Sequence, residues 1–213
     1  MSTPGFSSSL WLVRHGQSAW NVAGRIQGQS PRAGSLTPAG RDQAELAARQ
    51  LAGLAPGARA VVASDLARAA ETAAIIAGRL GLPLTFDPRL REQDLGRLEG
   101  TRSVADDGPR GSTGDVIDQF WDDPYRRPPG GGETVAELYQ RVHGALSGLA
   151  EDRPGIDLIV VTHGGPVRVA TAGRLPPPGL PLPRAAVGNA SISLWPGLAD
   201  PGRVDAHTEM VAP

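Results

Sequence analysis

Two short apolar runs end in the same way. Leu10-Trp11-Leu12-Val13 gives way at once to Arg14-His15-Gly16, and Leu158-Ile159-Val160-Val161 gives way to Thr162-His163-Gly164-Gly165. Unbroken apolar runs of this length, without polar alternation, are what strands buried on both faces of a parallel sheet look like. Ala60–Ala63, Leu82–Phe86 and Ser191–Trp195 predict three more strands. Between the runs the apolar positions take helical spacing. Thr37-Pro38 starts a helix to about Leu54, with Thr as N-cap and Pro in the first turn. Ser64-Asp65 is expected to cap an Ala-rich helix, Leu66–Leu80, which Gly81 closes. Val135, Leu138, Val142, Leu146 and Leu149 form one face of a helix over Glu133–Ala150, and Gly165-Pro166 opens another that ends near Gly173. Shorter helices are expected just after Gly16 and over Asp115–Trp121.

Strands alternating with helices predict an α/β fold: a three-layer sandwich whose mostly parallel central sheet is flanked by helices. No domain-sized change of composition interrupts the chain, so one domain is expected over residues 1–213. Within it the Gly-, Asp- and Ser-rich region at about 100–132 reads as a lid or insert. Residues 174–184 read as a Pro-rich connector, and 196–213 as a peripheral tail. The heavily charged stretch 89–100 belongs at the rim of the sheet, because a central strand would have to bury its charges.

Composition removes several chemistries. There is no cysteine, hence no disulfide, thiolate nucleophile or Cys-bound metal. All 21 basic side chains are Arg, so no lysine is present for a Schiff base or a P-loop. A net charge of −1 gives no field that would attract nucleic acid or an anionic membrane. No window approaches the roughly 20 apolar residues of a membrane span, and the first residues lack a basic leader, so a cytoplasmic protein without a membrane partner is expected.

The chemistry concentrates at the strand ends. Open α/β sheets form their sites at the carboxyl ends of strands, where His15 and His163 both lie. Arg68 falls in the first turn of the helix after Ala60–Ala63, where free amide groups favour anions. Arg14, Arg68, two imidazoles and two helix N-termini make a pocket suited to a phosphoryl group, since a guanidinium can donate two parallel hydrogen bonds to it. On the residues alone, Arg68 has the competing option of pairing with Glu71 or Asp65 on its own helix, and Glu92, Asp94 and Glu99 are nearly equal candidates for a catalytic acid. His143 reads as a surface or supporting residue, and Asp65 and Glu133 as helix-start residues. Arg126-Arg127 reads either as a solvated pair or as a reach over the pocket to a second anion.

Taken together, Arg14-His15-Gly16-Gln17-Ser18-Ala19-Trp20-Asn21 resembles the signature of the histidine phosphatase superfamily, in its phosphoglycerate-mutase-like branch. The likeness continues through Gly24–Gly28, Ser64–Ala73, Leu90-Arg91-Glu92, Gly131–Thr134, Val161–Gly165 and Asn189-Ala190-Ser191, so it spans Leu10 to Trp195. It implies that His15 attacks phosphorus to form a phosphohistidine, with Arg14, Arg68 and His163 holding the phosphoryl oxygens. Glu92 becomes the acid that protonates the leaving oxygen and then activates water. Asn21, Gln27, Gly28 and the amide of Gly164 are the further substrate contacts. No metal and no cofactor are implied. The only partner expected is a small phosphorylated substrate, with a homodimer left open.

Mutases of this branch usually carry Tyr three residues after the acid and Lys eleven after it, where this chain has Leu95 and Ser103. With a short, Gly-rich lid, a phosphohistidine stays wet and hydrolyses. The expectation is therefore a metal-independent phosphomonoester hydrolase. A cofactor-dependent phosphoglycerate mutase and a non-catalytic phospholigand-binding module are the alternatives. Against the family pattern, Gln29–Ser35 carries an extra Pro-Arg-Ala-Gly.

Overall fold

The computed structural model describes residues 8–103 and 116–195. Its strands are β1 (Leu10–Arg14), β2 (Ala58–Ala63), β3 (Leu84–Phe86), β4 (Asp157–Thr162) and β5 (Ile192–Trp195). They form one sheet in the order β3-β2-β4-β1-β5. Every pairing is parallel except that of β5, which lies antiparallel to β1 at the edge. The central pair β1 and β4 is built from the two apolar runs.

Side chains alternate across a strand, and the core divides accordingly. Leu10, Leu12, Leu158 and Val160 face one side, where α5 (Val135–Asp152), α6 (Gly164–Thr171) and the short α4 (Asp118–Asp122) cover them. Val13, Ile159 and Val161 face the other, under α2 (Pro38–Leu54) and α3 (Ala67–Leu80). The covering stripes of α2 and α3 are mostly alanine (Ala47, Ala48, Ala69, Ala73), so these helices lie close to the sheet and to each other. Each large aliphatic buried this way contributes about 1.5–3 kcal/mol. The expected α/β sandwich with a mostly parallel sheet is therefore present.

Most helix ends follow their sequence signals. Thr37 Oγ1 accepts the Gly40 N–H, and Pro38 occupies the first turn. Thr134 and Glu137 cap α5 reciprocally. Gly81 closes α3 at φ 67°, the left-handed conformation that favours glycine.

Several expectations need correction. The residue before α3 is Leu66, with no side-chain cap; Ser64 and Asp65 are used elsewhere, as described below. Glu133 does not start α5 but binds Arg141 at 2.6 Å. His143 is buried, its ring 4.1 Å from that of Tyr139 and its Nε2 3.0 Å from the Val169 carbonyl. Arg126 lies over Phe120, and Arg127 binds Glu137 and the Gly132 carbonyl, so neither reaches the pocket. Residues 29–35 contain a 3-10 turn, Pro31–Ala33, which tucks Ala33 into the interior. The lid expected at 100–132 is described on either side, with α4 in its second half, but 104–115 lie outside the described residues, as does the tail 196–213. Among the described residues no helix is long and apolar enough to cross a membrane.

Candidate active site

The register of the two central strands creates the site. Leu10 pairs with Leu158 and Arg14 with Thr162, an offset of 148 residues, and the next step of that offset sets His15 beside His163. The two rings stand edge to face with centroids 5.2 Å apart. Both are buried, His15 at 2% exposure and His163 at 0%.

His15 Nδ1 lies 2.7 Å from the carbonyl of Gly16. A carbonyl only accepts, so the Nδ1–H tautomer is selected and Nε2 keeps its lone pair. That lone pair accepts from Arg68 Nε at 3.2 Å. Burial first, then the Arg68 and Arg14 guanidinia, hold this imidazole well below its ordinary 6.5, so it is neutral at physiological pH. The backbone behind it is fixed by the Gly16 N–H donating to Thr72 Oγ1, and by the Asn189 amide and the Ala190 N–H donating to the His15 carbonyl.

Arg68 is 1% exposed and also donates from Nη2 to the Gly28 carbonyl at 2.8 Å. Its competing partners are engaged elsewhere: Glu71 holds Arg41 and the Leu36 N–H, and Asp65 holds Arg91. Desolvation lowers this guanidinium from its ordinary value to about 10. Arg14 donates from Nη1 to the Val187 carbonyl at 2.6 Å, and its buried Nε has no protein partner. Burial lowers Arg14 too, with Glu92 opposing the shift. His163 Nε2 lies 2.8 Å from Ser64 Oγ, its Nδ1 is buried without a partner, and burial followed by the Arg68 charge pulls it well below 6.5.

The three carboxylates left equal by spacing now separate. Glu92 lines the cavity and accepts the N–H groups of Gln93 and Gly165 at 2.9 and 3.1 Å. Asp94 caps the turn at the Gly96 N–H. Glu99 sits behind Gly28, accepting from the Gln29 and Leu95 N–H groups, and burial raises it. Gly28 has φ 48°, and a Cβ there would stand 2.1 Å from the Glu99 carboxylate.

His15, Arg14, Arg68, Glu92, Asn21, Gln27, Gly28 and Gly164 all line one cavity of about 240 Å3. Asn21 Oδ1 is taken by Ser18 and Gln27 Oε1 by the Ser18 hydroxyl, which leaves both amide nitrogens as donors. Trp20, Trp121, Ile117 and Leu95 supply its apolar wall. Among the described residues, no three His, Asp or Glu side chains converge as metal ligands.

Three supporting groups carry no clear signal in the sequence. Ser64 looks like a helix cap. Arg141 holds the segment leading to Glu92 by donating to the carbonyls of Arg89, Arg91 and Glu92, and nothing in its spacing announces this. The Val187 clamp on Arg14 is a backbone carbonyl, which leaves no residue-type signal.

The family profile of the Histidine phosphatase superfamily (branch 1) matches residues 10–204. A probable phosphoglycerate mutase GpmB of Cronobacter sakazakii is 36% identical over 188 residues, 86% of this chain and 82% of that protein. Among solved structures, a mycobacterial glucosyl-3-phosphoglycerate phosphatase complexed with VO3 superposes with a TM-score of 0.73 at 30% identity, covering 88% of this chain and 90% of that one. A phosphoglycerate mutase from Thermus thermophilus gives 0.63 at 31% identity, over 89% and 94%.

Proposed function

Because this chain belongs to the histidine phosphatase superfamily, branch 1, we propose that it is a metal-independent phosphomonoester hydrolase working through a phosphohistidine. The observation that carries this reading is the neutral His15 ring on the cavity wall, its Nδ1 on the Gly16 carbonyl and its unprotonated Nε2 accepting from the buried Arg68 guanidinium. His15 Nε2 attacks phosphorus, the N–P bond forms, and the P–O bond to the alcohol breaks. Arg14 Nε, Arg68 and the free His163 Nδ1 donate to the phosphoryl oxygens as charge redistributes, with the Asn21 and Gln27 amides and the Gly164 N–H beside them. Glu92 gives its proton to the departing oxygen, then takes one from the water that cleaves the N–P bond and releases phosphate. The substrate is a small phosphorylated metabolite.

The second reading, a phosphoglycerate mutase, is favoured by the name its relative bears over most of the chain. Leu95 and Ser103, both on the cavity wall, favour the hydrolase, since neither offers a charge to retain an intermediate.

The test is release of phosphate from p-nitrophenyl phosphate in the presence of a chelator, by the wild type and by His15→Ala. Turnover that the substitution abolishes is expected. Turnover that survives it rules out His15 as nucleophile. Interconversion of 3- and 2-phosphoglycerate faster than their hydrolysis decides for the mutase.

A further inference from the structure

His163 has two ring nitrogens in different surroundings, and Ser64 distinguishes them. Ser64 sits one residue past β2, fully buried, and its Oγ accepts the Leu66 N–H at 3.3 Å while lying 2.8 Å from His163 Nε2. The other nitrogen, Nδ1, is enclosed by protein and has no hydrogen-bond partner there. A buried donor left without a partner costs about 1–3 kcal/mol, a cost that a ligand oxygen placed beside the ring would remove.

We propose that Ser64 is a positioning residue: its hydroxyl donates to His163 Nε2, fixing the ring as the Nδ1–H tautomer and reserving that N–H for a phosphoryl oxygen of the substrate. Three protonation states compete. The imidazolium is disfavoured because the ring is buried among Arg14, Arg68 and Arg141, with His15 beside it. The Nε2–H tautomer lets the ring donate to Ser64, but turns the Nδ1 lone pair towards an anionic oxygen and leaves the hydroxyl proton unused. Only the Nδ1–H tautomer gives every group its partner, in the sequence Leu66 N–H to Ser64 Oγ, Ser64 O–H to His163 Nε2, His163 Nδ1–H to phosphoryl oxygen. Position 163 thereby donates a hydrogen bond without adding a third charge beside the two guanidinia.

The inference rests on the phosphoryl-transfer reading above, and its test separates the two. The first measurement needs no activity. Imidazole 15N shifts of the wild-type protein, with His163 assigned through His163→Asn, should show a protonated Nδ1 and an unprotonated Nε2 at pH 7. In Ser64→Ala the two tautomers should mix. The second is a double-mutant cycle on p-nitrophenyl phosphate. Ser64→Ala alone should lower kcat about tenfold, the worth of one hydrogen bond, and Ser64→Thr should recover most of it. On a His163→Asn background Ser64→Ala should change nothing, whereas a serine that merely supports the fold would cost the same factor in both backgrounds. An Nε2–H tautomer in the wild type, or an additive cycle, overturns the assignment of Ser64 while leaving the hydrolase reading in place. Absence of turnover in the wild type overturns the hydrolase reading, and the tautomer measurement still judges Ser64.

Discussion

Arg68→Met should stabilise the ligand-free protein while removing most of its activity. The guanidinium is buried with no carboxylate bound to it, and desolvation lowers it by more than two pH units to about 10. At about 1.4 kcal/mol per unit, the charged form costs the folded state about 3 kcal/mol relative to the unfolded chain. A base depressed on folding carries this penalty fully at neutral pH, and the penalty recedes only as pH rises past 10 and the folded state releases its proton. Methionine fills a similar volume without the charge. Against that gain, the Gly28 carbonyl and His15 Nε2 lose their donors, at about 1 kcal/mol each. The balance is a net stabilisation of about 1 kcal/mol, equivalent to about 2–4 °C in Tm for a chain of this size. Thermal melting in phosphate-free buffer measures it directly. Added phosphate or vanadate should raise the wild-type Tm by mass action and leave the variant nearly unmoved. The turnover of p-nitrophenyl phosphate should fall about 10²- to 10³-fold, as for loss of one donor to a developing anion. A variant that melts several degrees below the wild type without phosphate, or that keeps its anion-induced shift, would refute this balance.

Three further expectations follow from the same geometry. Glu92→Gln should slow hydrolysis of alkyl phosphates by about 10²-fold or more but of p-nitrophenyl phosphate by much less, because a good leaving group needs no proton; equal losses across a leaving-group series would remove Glu92 from the acid role. The folded pKa values of His15 and His163 lie below their unfolded value of 6.5, so the unfolded chain binds more protons in acid and stability drains away as pH falls below 6.5. Guanidinium midpoints should show about 1 kcal/mol lost per histidine over the first pH unit below 6.5, and an unchanged midpoint would contradict the neutral, buried rings. Gly53→Ala, in a helix with open space around it, should add about 0.5–1 kcal/mol. Gly16→Ala should instead destabilise severely, since its Cβ would lie 2.3 Å from the Gly40 carbonyl oxygen; similar denaturation curves for the two would show that the start of α2 can move away.

Much of this is legible in the sequence because it is written in residue types. The two apolar runs ending in His-Gly set both central strands and, through their register, the pairing of His15 with His163. Thr37-Pro38 and Gly81 mark helix ends by backbone chemistry that only those residues favour. What stays hidden depends on contacts between distant segments. Ser64 looks like a cap because a hydroxyl before a helix usually is one, yet β4 brings His163 within reach of it. Position 92 cannot be told from 94 and 99 by charge, since what separates them is which carboxylate faces the cavity and which takes backbone N–H groups behind it. The clamp on Arg14 is a main-chain carbonyl, with which any side chain at 187 would be compatible.

That clamp bears on the order in which the molecule is completed. β1 has two neighbours in the sheet, β4 and β5, both drawn from the last third of the described chain. Arg14 is tied across 173 residues to Val187, and the His15 carbonyl across 174 to Asn189. Synthesis proceeds from the N-terminus at about 5–20 residues per second, so β2, α3 and β3 can associate locally while β1 still waits for its partners. Contacts of such long sequence separation form slowly. The strand that ends at His15 leaves the ribosome early, and its surroundings are assembled last.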